Sequence, residues 1–333
     1  MNPVWQGVIT IFIGVGGCIG YFYLSNQLLD RVLFPARGPR IGRNITRANA
    51  VRPWLFLLPA ILALGLYLAY PVVETLRLSL MDRNTGDVFV GADNYARMLN
   101  DPKFWEALGN NMLWLLVVPA ASTAFGLLAA QLTDRIGWGN IAKSLIFMPM
   151  AISFVGAAVI FKLVYDARPE DVAQIGVLNA IYLQLGGAAP VTWLTVPHWN
   201  NLFLMAVLIW IQTGFAMVIL SAALRGIPEE TIEAAIVDGA NPFQIFFKIK
   251  VPQITGTIIV VWTTITIVVL KVFDIVFAMT NGQWETQVLA NFMYDKMFRA
   301  NDWGMGSAAA MVIMLLVMPI LVWNVWTARK EMR

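Results

Sequence analysis

The strongest constraint on the fold of this chain is a set of seven mostly apolar runs, each roughly 20 residues long. A helix of that length crosses a bilayer. The runs cover about 3–24, 54–73, 110–132, 144–164, 202–223, 255–278 and 305–327. They are too long and uninterrupted for the strands of a membrane barrel, and the Pro and Gly residues within them are tolerated in membrane helices. The sequence therefore predicts an all-α, polytopic membrane helix bundle.

Composition supports the same class. The chain is 59% hydrophobic and 13% charged, whereas soluble domains have roughly 45–50% apolar and about 25% charged residues. A single cysteine and a single histidine predict neither an intrachain disulfide framework nor a Cys- or His-rich metal centre. The first run lacks a basic n-region and a small-residue cleavage site, so a retained span is expected there rather than a removed signal peptide.

The distribution of Lys and Arg predicts how the spans are oriented. Fourteen of the 23 basic residues lie in 25–53, 133–143, 224–254 and the C-terminal tail, and seven lie in the alternate connections. Cytoplasmic loops carry the excess of Lys and Arg in membrane proteins. With seven spans, the N-terminus is predicted outside and the C-terminus in the cytoplasm. The Arg-rich linker after the first span is expected near anionic lipid headgroups.

The longest polar interruption in the second half of the chain is the segment 225–253, which we call the polar hairpin. Pro228 suits the first position of a helix, and the acids after it face the positive end of the helix dipole. Asp238 and Gly239 predict a helix-ending turn. A second short helix is predicted over 241–250, stopping at Pro252.

The two short helices of the polar hairpin need something to pack on, since helices of this length are marginal alone. Ile232, Ala235, Ile236 and Gly239 recur at helical spacing and predict one apolar stripe. Two interpretations follow with equal weight. The segment is a cytoplasmic hairpin resting on its own membrane domain, or it is a docking element for a second protein.

Four polar side chains within the predicted spans are candidates for a solute path: Gln212, Thr213, Lys271 and Asp274. Ionisable groups at membrane depth usually face a bundle interior or a wet cavity. A continuous helix would place Lys271 and Asp274 on one face, where they can pair. Such a pair either locks helices together or lines a solute path. Gln212 and Thr213, beside Trp210, offer a polar and aromatic mixture that suits a sugar, although Thr and Gln also hold membrane helices together.

No enzyme signature is found in the sequence. It has no Gly-x-Ser-x-Gly elbow, no His-Glu-x-x-His and no phosphate-cradling Gly-x-x-x-x-Gly-Lys-Ser/Thr loop. We expect no catalytic activity, and transport against a gradient would need an ATPase on another chain. Nothing in the sequence indicates binding of nucleic acid.

The stretch EAAIVDGANPFQIFFKIKVPQI resembles the EAA loop of the permease subunits of bacterial ABC importers. The matching positions are Glu233, Ala234, Ala235, Asp238, Gly239, Ala240 and Pro252. In that family the loop is a coupling helix that fits a groove on a cytoplasmic ATPase. The resemblance implies that Glu233 makes a polar contact with the ATPase, that Gly239 forms the turn, and that Pro252 begins the next span.

Further stretches resemble the carbohydrate branch of this family, the relatives of the maltose and glycerol-phosphate permeases, over roughly residues 53–327. The first permease subunit of alpha-glucoside importers is the most similar in appearance, and importers of sulfonated sugar glycosides are similar too. The implied fold has six core spans of the type I ABC importer permease plus one extra N-terminal span. The implied division is 1–52, an extra span with a basic cytoplasmic linker, and 53–333, the permease domain with the coupling loop 225–253.

The resemblance also implies the protein's partners and its place in the cell. These are a second permease subunit in a heterodimer, a cytoplasmic ATPase dimer, a periplasmic solute-binding protein, a sugar and the lipid of the inner membrane. ATP and Mg would bind the ATPase, and no cofactor is expected on this chain. The segment Thr280–Trp284 departs from the Thr-x-Gly-Gly-Pro pattern common in the sugar branch, so this outer loop is expected to contact the solute or its binding protein differently.

Two other classes of function compete with the importer. A secondary transporter would work without ATP and would use Lys271 and Asp274 for ion coupling, leaving the EAA-like loop idle. A membrane-embedded enzyme would need a constellation of His, Cys or Ser residues, which the sequence does not provide.

Overall fold

The computed structural model describes residues 3–35, 41–83, 86–134 and 136–331; its regular elements in these ranges are all helical, and none is a β-strand. Contacts divide the chain into two units, 1–74 and 75–333, and each is described by itself. Five of the described helices are long and apolar enough to cross a membrane, or up to seven if each of two bent pairs forms one span. The predicted class, an all-α membrane helix bundle, is confirmed.

The first unit is a pair of long helices. Its elements are α1 (Pro3–Gln27), a π-helical turn (Leu28–Leu33), α2 (Ile41–Leu64), a second π-helical turn (Gly65–Ala69) and the start of α3 (Tyr70–Ser79). The Tyr21 hydroxyl donates to the Leu55 carbonyl at 2.6 Å, and Arg52 pairs with Asp30 at 2.6 Å. The predicted division between 52 and 53 falls inside α2.

The second unit contains the remaining helices. They are α4 (Asp93–Leu99), α5 (Pro102–Thr133), α6 (Gly139–Phe147), α7 (Phe154–Val164), α8 (Val177–Gln184), α9 (Asn200–Arg225), α10 (Glu229–Val237), α11 (Pro242–Gln244), α12 (Val251–Gln253), α13 (Thr255–Leu270), α14 (Asp274–Met279), α15 (Leu289–Tyr294) and α16 (Trp303–Glu331). Two 3₁₀ turns (Met148–Ala151, Trp193–Thr195) and two π-helical turns (Ile245–Lys250, Asp295–Arg299) connect them. The second unit therefore holds both the polar hairpin and all four predicted path residues.

The core of the second unit forms where α5 and α13 pack against α9. Fully buried side chains from these helices include Trp114, Leu208, Met217 and Ile265. The backbones of α5 and α9 approach closely at Gly126, where a Cβ would lie 2.9 Å from the amide nitrogen of Met217. Only a residue without a side chain fits this contact, so Gly126 sets the distance between the two central helices.

Replacing Gly126 by leucine should destabilise the protein, because the new side chain would enter the backbone of α9. Overpacking of this kind costs about 1–3 kcal/mol. The measurement is thermal unfolding of the detergent-solubilised protein. Gly109→Leu is the matched control, since Gly109 lies on the same helix with nothing within 4 Å of an added Cβ. Equal melting temperatures for the two variants would contradict the close packing of α5 on α9.

Two predicted spans are not single straight helices. In the predicted span 144–164, the chain bends by 105° between Ala151 and Phe154. Pro149 lies in the 3₁₀ turn and lacks an amide donor, and the Ser153 hydroxyl then caps α7 by accepting from the Gly156 N–H at 3.1 Å. The predicted continuous helix over 255–278 is also wrong, since α13 ends at Leu270 and α14 begins only at Asp274.

Candidate functional site

The polar hairpin begins with α10 and a tight turn. Pro228 is predicted as the first helical residue of α10 but is its N-cap, so the helix begins one residue later, at Glu229. The helix ends at Asp238, and Gly239 follows in the left-handed conformation, with φ +82°. The Ala240 N–H donates to the Ala235 carbonyl at 2.9 Å, and the Gly239 N–H donates to the Ile236 carbonyl at 3.0 Å. These two bonds form a Schellman motif, which confirms the predicted turn.

The second half of the polar hairpin begins with a capping box. The Asn241 side chain accepts from the Gln244 N–H, and the Gln244 side chain accepts from the Asn241 N–H, both at 2.9 Å. The helical stretch does not stop before Pro252 but continues to Gln253, where a 71° bend leads into α13. A wider π-helical turn precedes Pro252 and gives its ring room in the helix. Pro252 thus lies just before the bend that leads into α13, and its expected role at the start of the span stays a prediction.

The predicted apolar stripe of α10 is only partly covered by protein. Ile232 packs against the main core and Ala235 is buried, whereas Ile236 is exposed. The rest of the protein thus covers only part of the stripe, at Ile232 and Ala235. Four apolar side chains of the hairpin have exposed fractions of 58–86%: Ile236, Val237, Phe243 and Phe247. The hairpin therefore rests on its own domain by one face and leaves an apolar surface open on the other.

The motif residues around this open surface are mostly exposed. Glu233, Ala234 and Asp238 are exposed, and Ala240 is half-buried. Within the described ranges, neither Glu233 nor Asp238 forms an ion pair or a side-chain hydrogen bond. Carboxylates free beside an exposed apolar surface are available to a partner with complementary charge.

Lys271 and Asp274 lie on either side of a break between two helices and do not share one helix face. The residues between them, Val272 and Phe273, are not helical, and Phe273 has φ −136° and ψ −57°. No ion pair links the two charges in the part of the chain that the structure describes, so the predicted pairing is wrong. Both side chains line one cavity of about 320 Å³, which Phe273 and Phe154 also line.

Gln212 and Thr213 lie apart from this cavity. Gln212 is buried within α9, and the Thr213 hydroxyl donates to the Ile209 carbonyl of its own helix at 2.7 Å. The cavity is lined from α9 by Leu208 instead. Of the four predicted path residues, Lys271 and Asp274 therefore line one cavity, whereas Gln212 and Thr213 lie on α9 outside it.

Residues 280–287, which include the segment Thr280–Trp284 singled out in the sequence, form a loop whose backbone strain the sequence did not indicate. Asn281, Trp284 and Glu285 have positive φ angles of 53°, 54° and 62°, although none is glycine. Such conformations persist only where surrounding contacts impose them, and they cluster at functional sites. The loop is internally closed by a 2.6 Å hydrogen bond between the hydroxyls of Thr280 and Thr286.

Asparagines from two distant helices hold this loop in place. The Asn110 amide of α5 donates to the carbonyls of Glu285 at 2.9 Å and Gln287 at 2.8 Å. The Asn201 amide of α9 also donates to Glu285, at 3.2 Å. The sequence signal was the pair of Asn-Asn dipeptides at the starts of two spans, together with Asn281-Gly282, a common left-handed turn.

These features define an all-helical membrane protein with an exposed polar hairpin that carries an open apolar surface, and with a charged cavity at a break between two helices. Residues 122–331 match the model of the family described as the binding-protein-dependent transport system inner membrane component. The match covers more than half of the chain, so the chain belongs to this family and is a protein of the inner membrane. Such proteins are permease subunits and not enzymes.

Curated relatives place the chain among permeases of this kind. It is 63% identical over 336 residues to the alpha-glucoside transport system permease protein AglF of Rhizobium meliloti (strain 1021), with 99% of each chain covered. It is 48% identical to the osmoprotective compounds uptake permease protein GgtC of Synechocystis sp. (strain ATCC 27184 / PCC 6803 / Kazusa), covering 84% of this chain and 100% of the relative. The sulfoquinovosyl glycerol transport system permease protein SmoG of Agrobacterium fabrum (strain C58 / ATCC 33970) is 30% identical, with 84% and 91% covered. The predicted family resemblance is thus confirmed.

A solved structure shares the fold. One chain of a bacterial ABC transporter involved in the import of the acidic polysaccharide alginate superimposes with a TM-score of 0.73 at 21% identity. The match covers 88% of this chain and 100% of the other. It confirms the predicted permease fold.

Proposed function

We propose that this chain is one permease subunit of an ATP-driven importer that carries an alpha-glucoside or a related glycoside across the inner membrane. The observation that carries the proposal is the 63% identity with an alpha-glucoside permease, which extends over 99% of both chains. A relative named for sulfoquinovosyl glycerol is less similar, at 30% identity, so an alpha-glucoside is the favoured solute over a sulfonated glycoside.

The polar hairpin is proposed as the docking element for a cytoplasmic ATPase. Its exposed apolar side chains and unpaired Glu233 offer the two kinds of contact that a protein groove can complement. ATP and Mg would bind that ATPase, since this chain lacks a phosphate-cradling loop. A second permease subunit would complete the pore, and a periplasmic binding protein would deliver the solute. These partners agree with the family's description as a binding-protein-dependent system.

The proposed orientation places the N-terminus outside and the C-terminus in the cytoplasm. The excess of Lys and Arg in 25–53, 133–143, 224–254 and the C-terminal tail supports it, and it puts the polar hairpin on the ATPase side. From the family resemblance, residues 1–52 are proposed as an appended span with a basic linker, and 53–333 as the permease domain. The 280–287 loop would then face the periplasm.

Lys271 and Asp274 are proposed to line the solute path. Their shared cavity and the helix break support this, because irregular backbone at membrane depth is tolerated where it lines a cavity. Gln212 and Thr213 have no such support and remain weaker proposals. An ion-coupled secondary transporter is set aside, since the family to which the chain belongs imports with a binding protein.

The test of this function is uptake by the complete importer in proteoliposomes with ATP inside and the binding protein outside. Maltose, trehalose and sucrose, which are alpha-glucosides, should be taken up only with ATP. Cellobiose, a beta-glucoside, is the matched control and should not be taken up. Uptake of none of the alpha-glucosides would refute the assigned solute class, and uptake without ATP would refute the importer.

A further inference from the structure

Five aromatic side chains form an unbroken row that begins at the charged cavity. They are Phe273, Phe277, Tyr294, Phe298 and Trp303. Each ring centroid lies 4.9–5.6 Å from the next. We call this row the aromatic track. Its first member lines the cavity that holds Lys271 and Asp274, so the two features are continuous.

None of the five rings is fully buried. Four are partly exposed, and Phe298 is 55% exposed. Core aromatics of the same region behave differently, since Phe292 and Phe104 are each no more than 2% exposed. The track is therefore a surface of the folded chain rather than part of its core. A row of open rings exposes apolar area that a ligand, a partner chain or lipid can cover.

Polar groups accompany the rings. The Arg299 guanidinium lies 5.6 Å from the centre of the Phe277 ring and 5.7 Å from that of Tyr294, and it pairs with Asp295 at 3.1 Å. The Tyr294 hydroxyl has no hydrogen-bond partner among the residues that the structure describes. Asp295 and Arg299 are the two ends of a π-helical turn, and Tyr294 directly precedes it; such turns are frequent at functional sites.

The chemistry of the track suits a sugar better than a lipid tail or an apolar helix. A pyranose offers an apolar C–H face, which is removed from water when it lies against an aromatic ring. It also offers hydroxyls, which an exposed guanidinium, a carboxylate and a free phenol can bind. A hydrocarbon chain would cover the rings but leave the Tyr294 hydroxyl without a partner, which is costly when it is desolvated, whereas Arg299 and Asp295 would keep each other as partners.

We infer that the aromatic track is a binding surface for the pyranose rings of the solute, which leads it toward the Lys271–Asp274 cavity. This inference rests on the proposed function, since it names the surface along which a glycoside would enter. Because the track is longer than one ring contact, a longer oligosaccharide touches more of it than a disaccharide does. Tyr294 and Phe298 are thereby assigned as determinants of preference for solute length.

The test uses the complete importer with its binding protein and compares maltose with maltotriose. Phe298→Leu and Tyr294→Leu each remove one stacking ring and retain apolar volume. Loss of one aromatic contact should raise the KM for maltotriose uptake roughly two- to tenfold, with a smaller rise for maltose. Tyr294→Phe keeps the ring and should show only the loss of the hydroxyl contact.

Phe125→Leu is the matched control, because Phe125 is 54% exposed and lies on α5 away from the track. Unchanged KM values for both sugars in both leucine variants would overturn the inference while leaving the importer function intact. Reduced recovery of the second permease with Phe298→Leu would also overturn it, since the track would then be a subunit contact. Absence of uptake by the unaltered importer would overturn both the inference and the proposed function.

Discussion

Replacing Phe243 by aspartate should detach the ATPase from the permease. Phe243 is 77% exposed in the polar hairpin, where the proposed docking surface is most apolar. Burying a Phe side chain contributes about 1.5–3 kcal/mol, so its loss should weaken association by at least about tenfold. A carboxylate buried in its place adds a desolvation cost. Co-purification of the ATPase with the tagged permease measures the effect directly.

Phe89→Asp is the control for this change, since Phe89 is also exposed, at 67%, but lies outside the hairpin. The control should retain the ATPase at the level of the unaltered complex. Retention of the ATPase by Phe243→Asp would contradict docking through this surface. Equal loss in both variants would point to a general defect in folding or membrane insertion.

Glu233→Lys should abolish solute uptake while ATP hydrolysis by the assembled complex continues. Glu233 is exposed and without a partner in the described chain, so its substitution leaves the internal contacts of the permease intact. Reversing its charge would place like charges together at a polar contact that the ATPase complements, which is costly at an interface. We expect uptake to fall at least about tenfold, equivalent to roughly 1.4 kcal/mol. Parallel measurements of uptake and phosphate release in proteoliposomes separate coupling from catalysis.

Two companion variants sharpen this prediction. Glu233→Gln removes the charge without reversing it and should retain more uptake than Glu233→Lys. Glu230→Lys makes the same charge change one turn earlier on α10. Similar loss of uptake in Glu230→Lys would attribute the effect to net charge on the helix and would count against a specific role for Glu233.

The turn of the polar hairpin could be predicted from the sequence because its determinants are local. Gly239 adopts the left-handed conformation that its lack of a Cβ permits, and Asn241 caps the helix that follows within three residues. No distant residue is needed to form these bonds. The extent of burial on α10 was not predictable in the same way, because it depends on how the hairpin lies against other helices.

The two broken spans show that apolarity alone does not predict whether a span is one straight helix. Hydropathy measures how readily residues enter a membrane, but it does not report the direction of the chain within it. Pro149 and Ser153 gave a local signal for the first break. At Lys271 no Gly or Pro marks the second break, and the spacing to Asp274 suggested a helix face that does not exist.

The 280–287 loop illustrates a third limit. Its left-handed Glu285 is held by Asn110 and Asn201, which are about 85 to 175 positions away in the chain. Local propensity cannot reveal a conformation that distant partners impose. The aromatic track likewise joins α14 to α15 and α16 through space, although its i, i+4 pairs at 273 and 277 and at 294 and 298 were present in the sequence.

The bonding of the turn after α10 also has a mechanical consequence. Four consecutive amides, from Asp238 to Asn241, are all hydrogen-bonded, so the corner has little freedom to flex. We expect a displacement of α10 to be passed to the next helix through this corner, because its backbone hydrogen bonds resist bending. A 71° bend precedes Thr255 and joins that helix to α13. Helix α13 ends at Leu270, beside the cavity that holds Lys271 and Asp274, so a continuous series of helices connects the hairpin to the cavity.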